Sequence, residues 1–322
     1  MDSGNKACEN KGMCFKMPFK MTRSSVFVRL FLGLLILMGP SVVPAGQDNE
    51  SDRALFWSIQ KNGQQAGYLL GTIHSEDPRV LDFSEGFLRK LKENEVFAME
   101  MVPDLLTLER LTTYMNFPPG QSLEPVIGNE RYAALQSALS GNQVSAEIIS
   151  RMKPWAVMLM LSTPPPETGF FMVFSLSLRA SGSGLEVMGL ETLEQQLSFL
   201  EKMPMAMQLS LLDQAIAEYG RVVEVHDQMV DTYLENNLVA LQVLSDEQFD
   251  SIDENASDYF IESGIHARNQ HMAQTLLQQL ETKTVFVAVG ALHLPGEEGL
   301  LNILRQNGFI LSPQPIPFSE SP

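Results

Sequence analysis

Two apolar runs, GYLL at 67–70 and VFVAV at 285–289, each lead straight into a Gly-x-x-His tetrapeptide: Gly71-Thr72-Ile73-His74 and Gly290-Ala291-Leu292-His293. The two histidines stand 219 positions apart (293 − 74). In a parallel sheet, ligand-binding and catalytic groups collect beyond the carboxyl ends of the strands. Glycine at such a place lets the backbone turn tightly or approach a neighbour closely. A fold built on this echo brings both ends of the chain into one sheet and sets both imidazoles on one edge. Glu100, near the end of a third apolar run (EVFAMEM, 95–101), is placed to join them.

The surrounding pattern fits that frame. Residues 54–60 (ALFWSIQ) and 67–72 read as strands around Lys61-Asn62-Gly63, an Asn-Gly turn signal. The run 84–95 has helical periodicity, with Phe87, Leu88 and Leu91 on one face. From about 104 to 182 the chain is mostly helical, interrupted by Pro118-Pro119 and Pro164-Pro165-Pro166. Residues 185–190 (LEVMGL) read as a buried strand, and 192–203 as a helix with Thr192 and Gln195 at capping-box spacing. Residues 207–280 form long helices broken near 245–253. Then come the strand 283–289, a helix over 297–306, a short strand at 309–311 and a loose Pro-rich tail from Pro313. The expected fold is α/β: a central mixed sheet from the N- and C-terminal thirds, with a large helical insertion at about 104–182 and 192–281. Residues 46–322 then make one domain.

Two imidazoles and a carboxylate suit an open site for a divalent transition metal such as Mn, Co or Zn. Such an ion acidifies water and polarises a carbonyl. Taken one by one, the residues also have ordinary readings. His74 can be a loop histidine bonding locally beside Ser75 and Asp77, His293 a loop histidine before Pro295, and Glu100 an exposed strand-end acid. Glu191 is either turned toward the same edge, behind Glu100, or a first-turn acid favoured by the helix dipole. His226, among acids in VVEVHDQMVDTYL, reads as solvated, and His266 and His271 are five apart, not the four that pairs two ligands on a helix. No G-x-S-x-G elbow and no dinucleotide-binding glycine fingerprint are present.

The chain resembles the TraB/GumN family, related to the Tiki proteins. The resemblance is carried by LFWSIQKNGQQAGYLLGTIHSEDPRV, the acid in VFAMEM, Lys153-Pro154-Trp155, GLETLEQQL, Arg268-Asn269 and VFVAVGALHLPGEEGLLNILRQNGF, in that order. It implies His74, Glu100 and His293 as metal-binding or catalytic residues, and Arg268 and Asn269 as residues of the same site. The family includes metal-dependent proteases and peptide-pheromone shutdown proteins, which implies a peptide or protein substrate. In that reading Arg268 either holds the carboxylate or steadies an oxyanion. The alternative from another class is a non-catalytic binder of peptides or polymers in the cell envelope.

Composition narrows the setting. The net charge of −17, from 39 acids against 22 Lys and Arg, disfavours nucleic acid as a partner. Arg23 and Arg29, the apolar run 30–39 and Val43-Pro44-Ala45 have the layout of a secretory signal peptide. Residues 1–20, before a second start at Met21, read as an over-extended start. Cleavage after 45 removes six Lys/Arg and two acids, taking the charge from −17 to −21, and removes both cysteines, Cys8 and Cys14. The expected location is the periplasm or outside the cell, with an uncleaved N-terminal anchor as the lesser alternative. The apolar stretch 170–178 reads as a face for a protein partner or a membrane surface.

Overall fold

A computed structural model describes residues 53–140, 144–249 and 252–319. The segment read as a signal peptide, residues 1–45, lies outside the described residues. Strand β1 (Phe56–Lys61) and strand β2 (Gln64–Thr72) form a hairpin. Its turn uses Asn62 (φ 53°) and Gly63 (φ 76°), the pair of left-handed residues that a type I′ connection needs. Strands β3 (Val96–Met99), β4 (Glu186–Gly189), β5 (Val285–Gly290) and β6 (Ile310–Pro313) complete a six-stranded sheet in the order β4-β3-β5-β2-β1-β6. The pairs β4/β3, β3/β5 and β5/β2 are parallel, while β1 runs antiparallel to both neighbours. The sheet is therefore mixed, and it joins the two ends of the chain as the tetrapeptide echo requires.

Register places the functional edge. Thr72 pairs with Gly290, and Met99 pairs with Ala288 on one side and Gly189 on the other. Four parallel strands thus end almost level. Residues 285–290 are buried throughout, as expected of a strand covered on both faces. The helix Glu85–Lys92 packs Phe87 and Leu91 inward, and Phe87 meets Phe286 edge-on at 5.5 Å between centroids. Ser84 caps that helix by accepting from the Phe87 N–H at 3.3 Å.

Most of the helices between β3 and β4 and between β4 and β5 gather around a second apolar cluster. At its centre is the helix Pro154–Leu161, all eight residues of which are buried. Lys153 and Trp155 are tied to one acid there, Glu201, at 2.7 and 2.8 Å. The capping box at Thr192 forms in both directions, at 3.2 and 2.8 Å.

Three expectations, for β4, the late helix and the tail, are corrected. Strand β4 is an edge strand with Glu186 exposed, rather than a buried one. The late helix is shorter, Leu300–Gln306, because Gly299 is extended (φ −79°, ψ 153°) and caps its start. The stretch 170–178 is split, with Leu176 buried in the helix Met172–Gly182 while Phe170 and Leu178 are exposed. The tail is not loose: Ser84 N–H donates to Pro317 O at 2.8 Å, Ser319 N–H to Asp82 O at 2.9 Å, and Phe318 is buried against Phe83 and Tyr233. We expect Phe318→Ala to cost about 3 kcal/mol in urea unfolding, the ordinary scale for a lost buried phenylalanine. An unchanged midpoint would show that the tail contributes nothing.

Candidate active site at the carboxyl edge of the sheet

Each parallel strand delivers one side chain to the edge. Across the sheet the order is Glu191 after β4, Glu100 after β3, His293 after β5 and His74 after β2. All four are buried, with His293 fully enclosed. Gly71 shows why the tetrapeptide begins with glycine: a Cβ there would lie 3.0 Å from the Cα of Ala291, in the other Gly-x-x-His segment. A side chain at that point would push the two tetrapeptides apart by a few tenths of an ångström.

Arg268 binds the acids together from behind. It is 2% exposed, a guanidinium buried within the fold. Its Nη2 donates to Glu100 Oε2 at 2.8 Å, and its Nε contacts both Glu191 oxygens at 3.0 and 3.1 Å. A further Nη2 bond reaches Glu191 Oε1. Glu100 also accepts from Gly290 N–H (2.8 Å) and Gln196 Nε2 (3.1 Å). Burial alone would raise its pKa, but the charge of Arg268, the approach of His293 and the Gly290 N–H outweigh it, so Glu100 stays below the ordinary carboxylate range. At Glu191 burial wins over Arg268, and the pKa is raised. With both acids ionised, the trio carries one uncompensated negative charge out of contact with water.

Asn269 governs His293. Its amide Nδ2 donates to Glu298 O at 2.8 Å, which turns Oδ1 toward His293 Nδ1 at 2.6 Å. Only a hydrogen on Nδ1 makes that contact favourable, so the lone pair is on Nε2. That atom lies 3.9 Å from Glu100 Oε1. Burial first, and the charge of Arg268 second, lower the His293 pKa to about 3. Burial first, and His226 second, lower that of His74 to about 3. Both rings are neutral at physiological pH.

Among the described residues three buried side-chain polar atoms lack a hydrogen-bond partner: His74 Nε2, His293 Nε2 and Gln208 Oε1. The two imidazole atoms belong to rings that line one cavity of about 40 Å³, together with His226, Met229, Tyr233 and Leu292. Unpartnered imidazole nitrogens beside a buried excess of negative charge are the donor set that suits a divalent cation. No three His, Cys, Asp or Glu side chains among the described residues converge closely enough to hold an ion. The donors therefore fit a cation in kind and in charge, without forming a ready-made cage.

Two supporting residues have no advance signal in the sequence reading. Glu76 accepts from the backbone N–H groups of Glu167, Thr168 and Gly169 at 2.7–3.0 Å, and from the Thr168 hydroxyl at 3.0 Å. It ties the Pro-rich loop down, and that loop presents Phe171, whose ring stacks on His74 at 4.0 Å. His226 is the second. Far from being solvated, it lines the cavity, and its Nε2 lies 3.2 Å from the His74 carbonyl oxygen. His266 pairs with Glu262 on the surface, and His271 is exposed.

A fold and edge of this kind define an α/β protein with a paired Gly-x-x-His site, and the chain belongs to the TraB/PrgY/gumN family, whose model matches residues 55–313. It is 26% identical over 253 residues to the uncharacterized protein YbaP of Escherichia coli, covering 76% of this chain and 89% of that one. It is 24% identical over 308 residues to the metalloprotease TIKI1 of Danio rerio, covering 80% of this chain and 62% of that one. The metalloprotease TIKI2 of Danio rerio is likewise 24% identical, over 80% of this chain and 60% of its own. The chain thus spans under two thirds of the Tiki proteins it matches. No solved structure matches it significantly.

Arg268→Met leaves two buried carboxylates without their counter-charge. We expect it to cost about 3–5 kcal/mol in urea unfolding, against no more than about 1 kcal/mol for Arg79→Met at an exposed pair. Acid titration is a separate check. Because the His74 and His293 pKa values fall from 6.5 to about 3 on folding, their contribution is complete above pH 6.5 and is lost as pH falls toward 3. The stability of metal-free protein should drop through that window, each histidine adding about 1.4 kcal/mol per pH unit. His293→Gln should flatten the slope by one proton, and an unaltered slope would contradict its neutral burial.

Proposed function

We propose that this chain is a metal-dependent hydrolase of peptide bonds. The observation that carries the proposal is the pair of buried, partnerless Nε2 atoms of His74 and His293, lining one cavity beside the anionic Glu100. The likeness to metalloproteases of the Tiki type supports the same reading at low identity. His74, His293 and Glu100 would hold the ion, with Mn, Co and Zn all compatible with nitrogen and oxygen donors. When bound, a divalent cation supplies Lewis acidity toward a scissile carbonyl and a water.

The chain's own residues then have distinct tasks. Glu100 carries a low pKa and accepts from Arg268, Gly290 and Gln196, so it is a fixed anion rather than a proton acceptor working near neutrality. Arg268 is spent on Glu100 and Glu191, which supports the carboxylate-holding role over an oxyanion role. Asn269 fixes the ring and tautomer of His293. Met229, Leu241 and Leu292 give the cavity beside the two imidazoles an apolar wall. The proposal includes export, with residues 1–45 as a cleaved leader of which 1–20 are an over-extended start.

A second reading, a peptide binder without turnover, is favoured by the absence of a converged three-donor cluster among the described residues. Purified protein lacking residues 1–45, incubated with Mn and a mixed peptide library, separates the two by mass spectrometry. The hydrolase reading expects cleavage products, abolished together with metal uptake in His74→Ala and in His293→Ala. Stoichiometric peptide capture without products under Mn, Co and Zn would leave the binder. Full turnover by either variant after chelation would end the metal assignment.

A further inference from the structure

One helix grips both ends of the first tetrapeptide. The helix Val222–Leu234 crosses the cavity with His226, Met229 and Tyr233 on its inner face, at spacings of three and four residues. Tyr233 is completely buried, and its hydroxyl donates to Gly71 O at 2.6 Å. Two turns earlier on the same face, His226 Nε2 lies 3.2 Å from His74 O. A carbonyl oxygen only accepts, so the His226 hydrogen is on Nε2 and the contact is a donated bond. The carbonyls at the first and last positions of Gly71-Thr72-Ile73-His74 are therefore anchored by side chains seven residues apart on a single rigid element.

We propose that His226 and Tyr233 are positioning residues that set how His74 presents its Nε2 to the cavity. The strand ladder to β5 holds Gly71 and Thr72, and Ser75 N–H closes on Ile73 O at 3.1 Å, but the ring of His74 makes no hydrogen bond through Nε2 and its face stacks on Phe171. The second tetrapeptide has a different solution, in which Asn269 grips the ring of His293 directly. The first is steered through its backbone. This deepens the hydrolase reading above and rests on it for its consequence, but the clamp itself is a property of the metal-free chain.

The test uses the chain without residues 1–45, as wild type and as His226→Leu, His226→Gln, Tyr233→Phe and the surface control His266→Gln. Imidazole nitrogen resonances recorded on metal-free protein report the ring of His74 directly. Loss of either anchor should shift the His74 signals and leave those of His293 in place, while His226→Gln, which retains an N–H donor, should return them toward wild type. Calorimetric titration with Mn should then show affinity weakened about ten- to hundredfold in His226→Leu and Tyr233→Phe, near wild-type affinity in His226→Gln, and turnover recovered by excess Mn. Unmoved His74 signals in both His226→Leu and Tyr233→Phe would overturn the clamp. Should His226→Leu fail to fold, Tyr233→Phe, which loses a single hydroxyl, decides the matter alone. Wild-type protein that takes up no Mn, Co or Zn would sink the hydrolase reading, and the ring shifts would still decide the clamp.

Discussion

The buried guanidinium of Arg268 is the constraint on which the sheet edge depends. Bringing Glu100 and Glu191 out of water is costly for each, and nearly as costly for the arginine. The arrangement is tolerated because one planar fork serves two carboxylates from adjacent parallel strands. It fixes the end of β3, the end of β4 and the start of the helix Ala267–Leu280 against one another, three pieces of chain far apart in sequence. With both acids ionised the trio carries one net negative charge, and a cation arriving between His293 and Glu100 would meet an anion already largely desolvated.

The helices between the strands are more than covering. The helix Ala267–Leu280 supplies Arg268 and Asn269, so it sets both the carboxylate and the second imidazole. It is entered through a π-helical turn, Phe260–His266, in which Gly264 lies against the Phe199 ring. Turns of that kind often sit beside functional sites because they redirect the following side chains. The helix Val222–Leu234 plays the matching part for the first imidazole. The site is thus a seam between strand ends and two insertion helices.

Much of this was legible in the sequence, for physical reasons that differ by element. The buried strand 285–290 announces itself because both faces need apolar side chains, and the 61–63 turn because only Asn-Gly tolerates its geometry cheaply. The placement of residues 74, 100 and 293 along one edge of the sheet could be anticipated from their strand-end positions, and the nearness of Arg268 to Glu100 and of Asn269 to His293 from the family resemblance. His226 could not, since its acidic neighbours Glu224 and Asp227 point outward and mask an inner face defined by Met229 and Tyr233. Glu76 was hidden for another reason: its partners are backbone N–H groups, which leave no trace in side-chain pattern. The depth of burial of Arg268 was equally invisible, because a single charged residue in a polar helical stretch reads as surface until its two carboxylates are placed. The helix Pro154–Leu161 went unremarked because it sits inside a generally apolar helical region, where periodicity carries no directional signal.

The pinned tail also bears on the site. Phe318 packs against Tyr233 at 5.8 Å between ring centroids, and the Tyr233 hydroxyl holds Gly71. Phe318 is therefore one ring contact from the cavity, whose lining includes Tyr233. A change at the far end of the sequence can therefore reach the first tetrapeptide through a single aromatic contact, without touching the sheet edge itself.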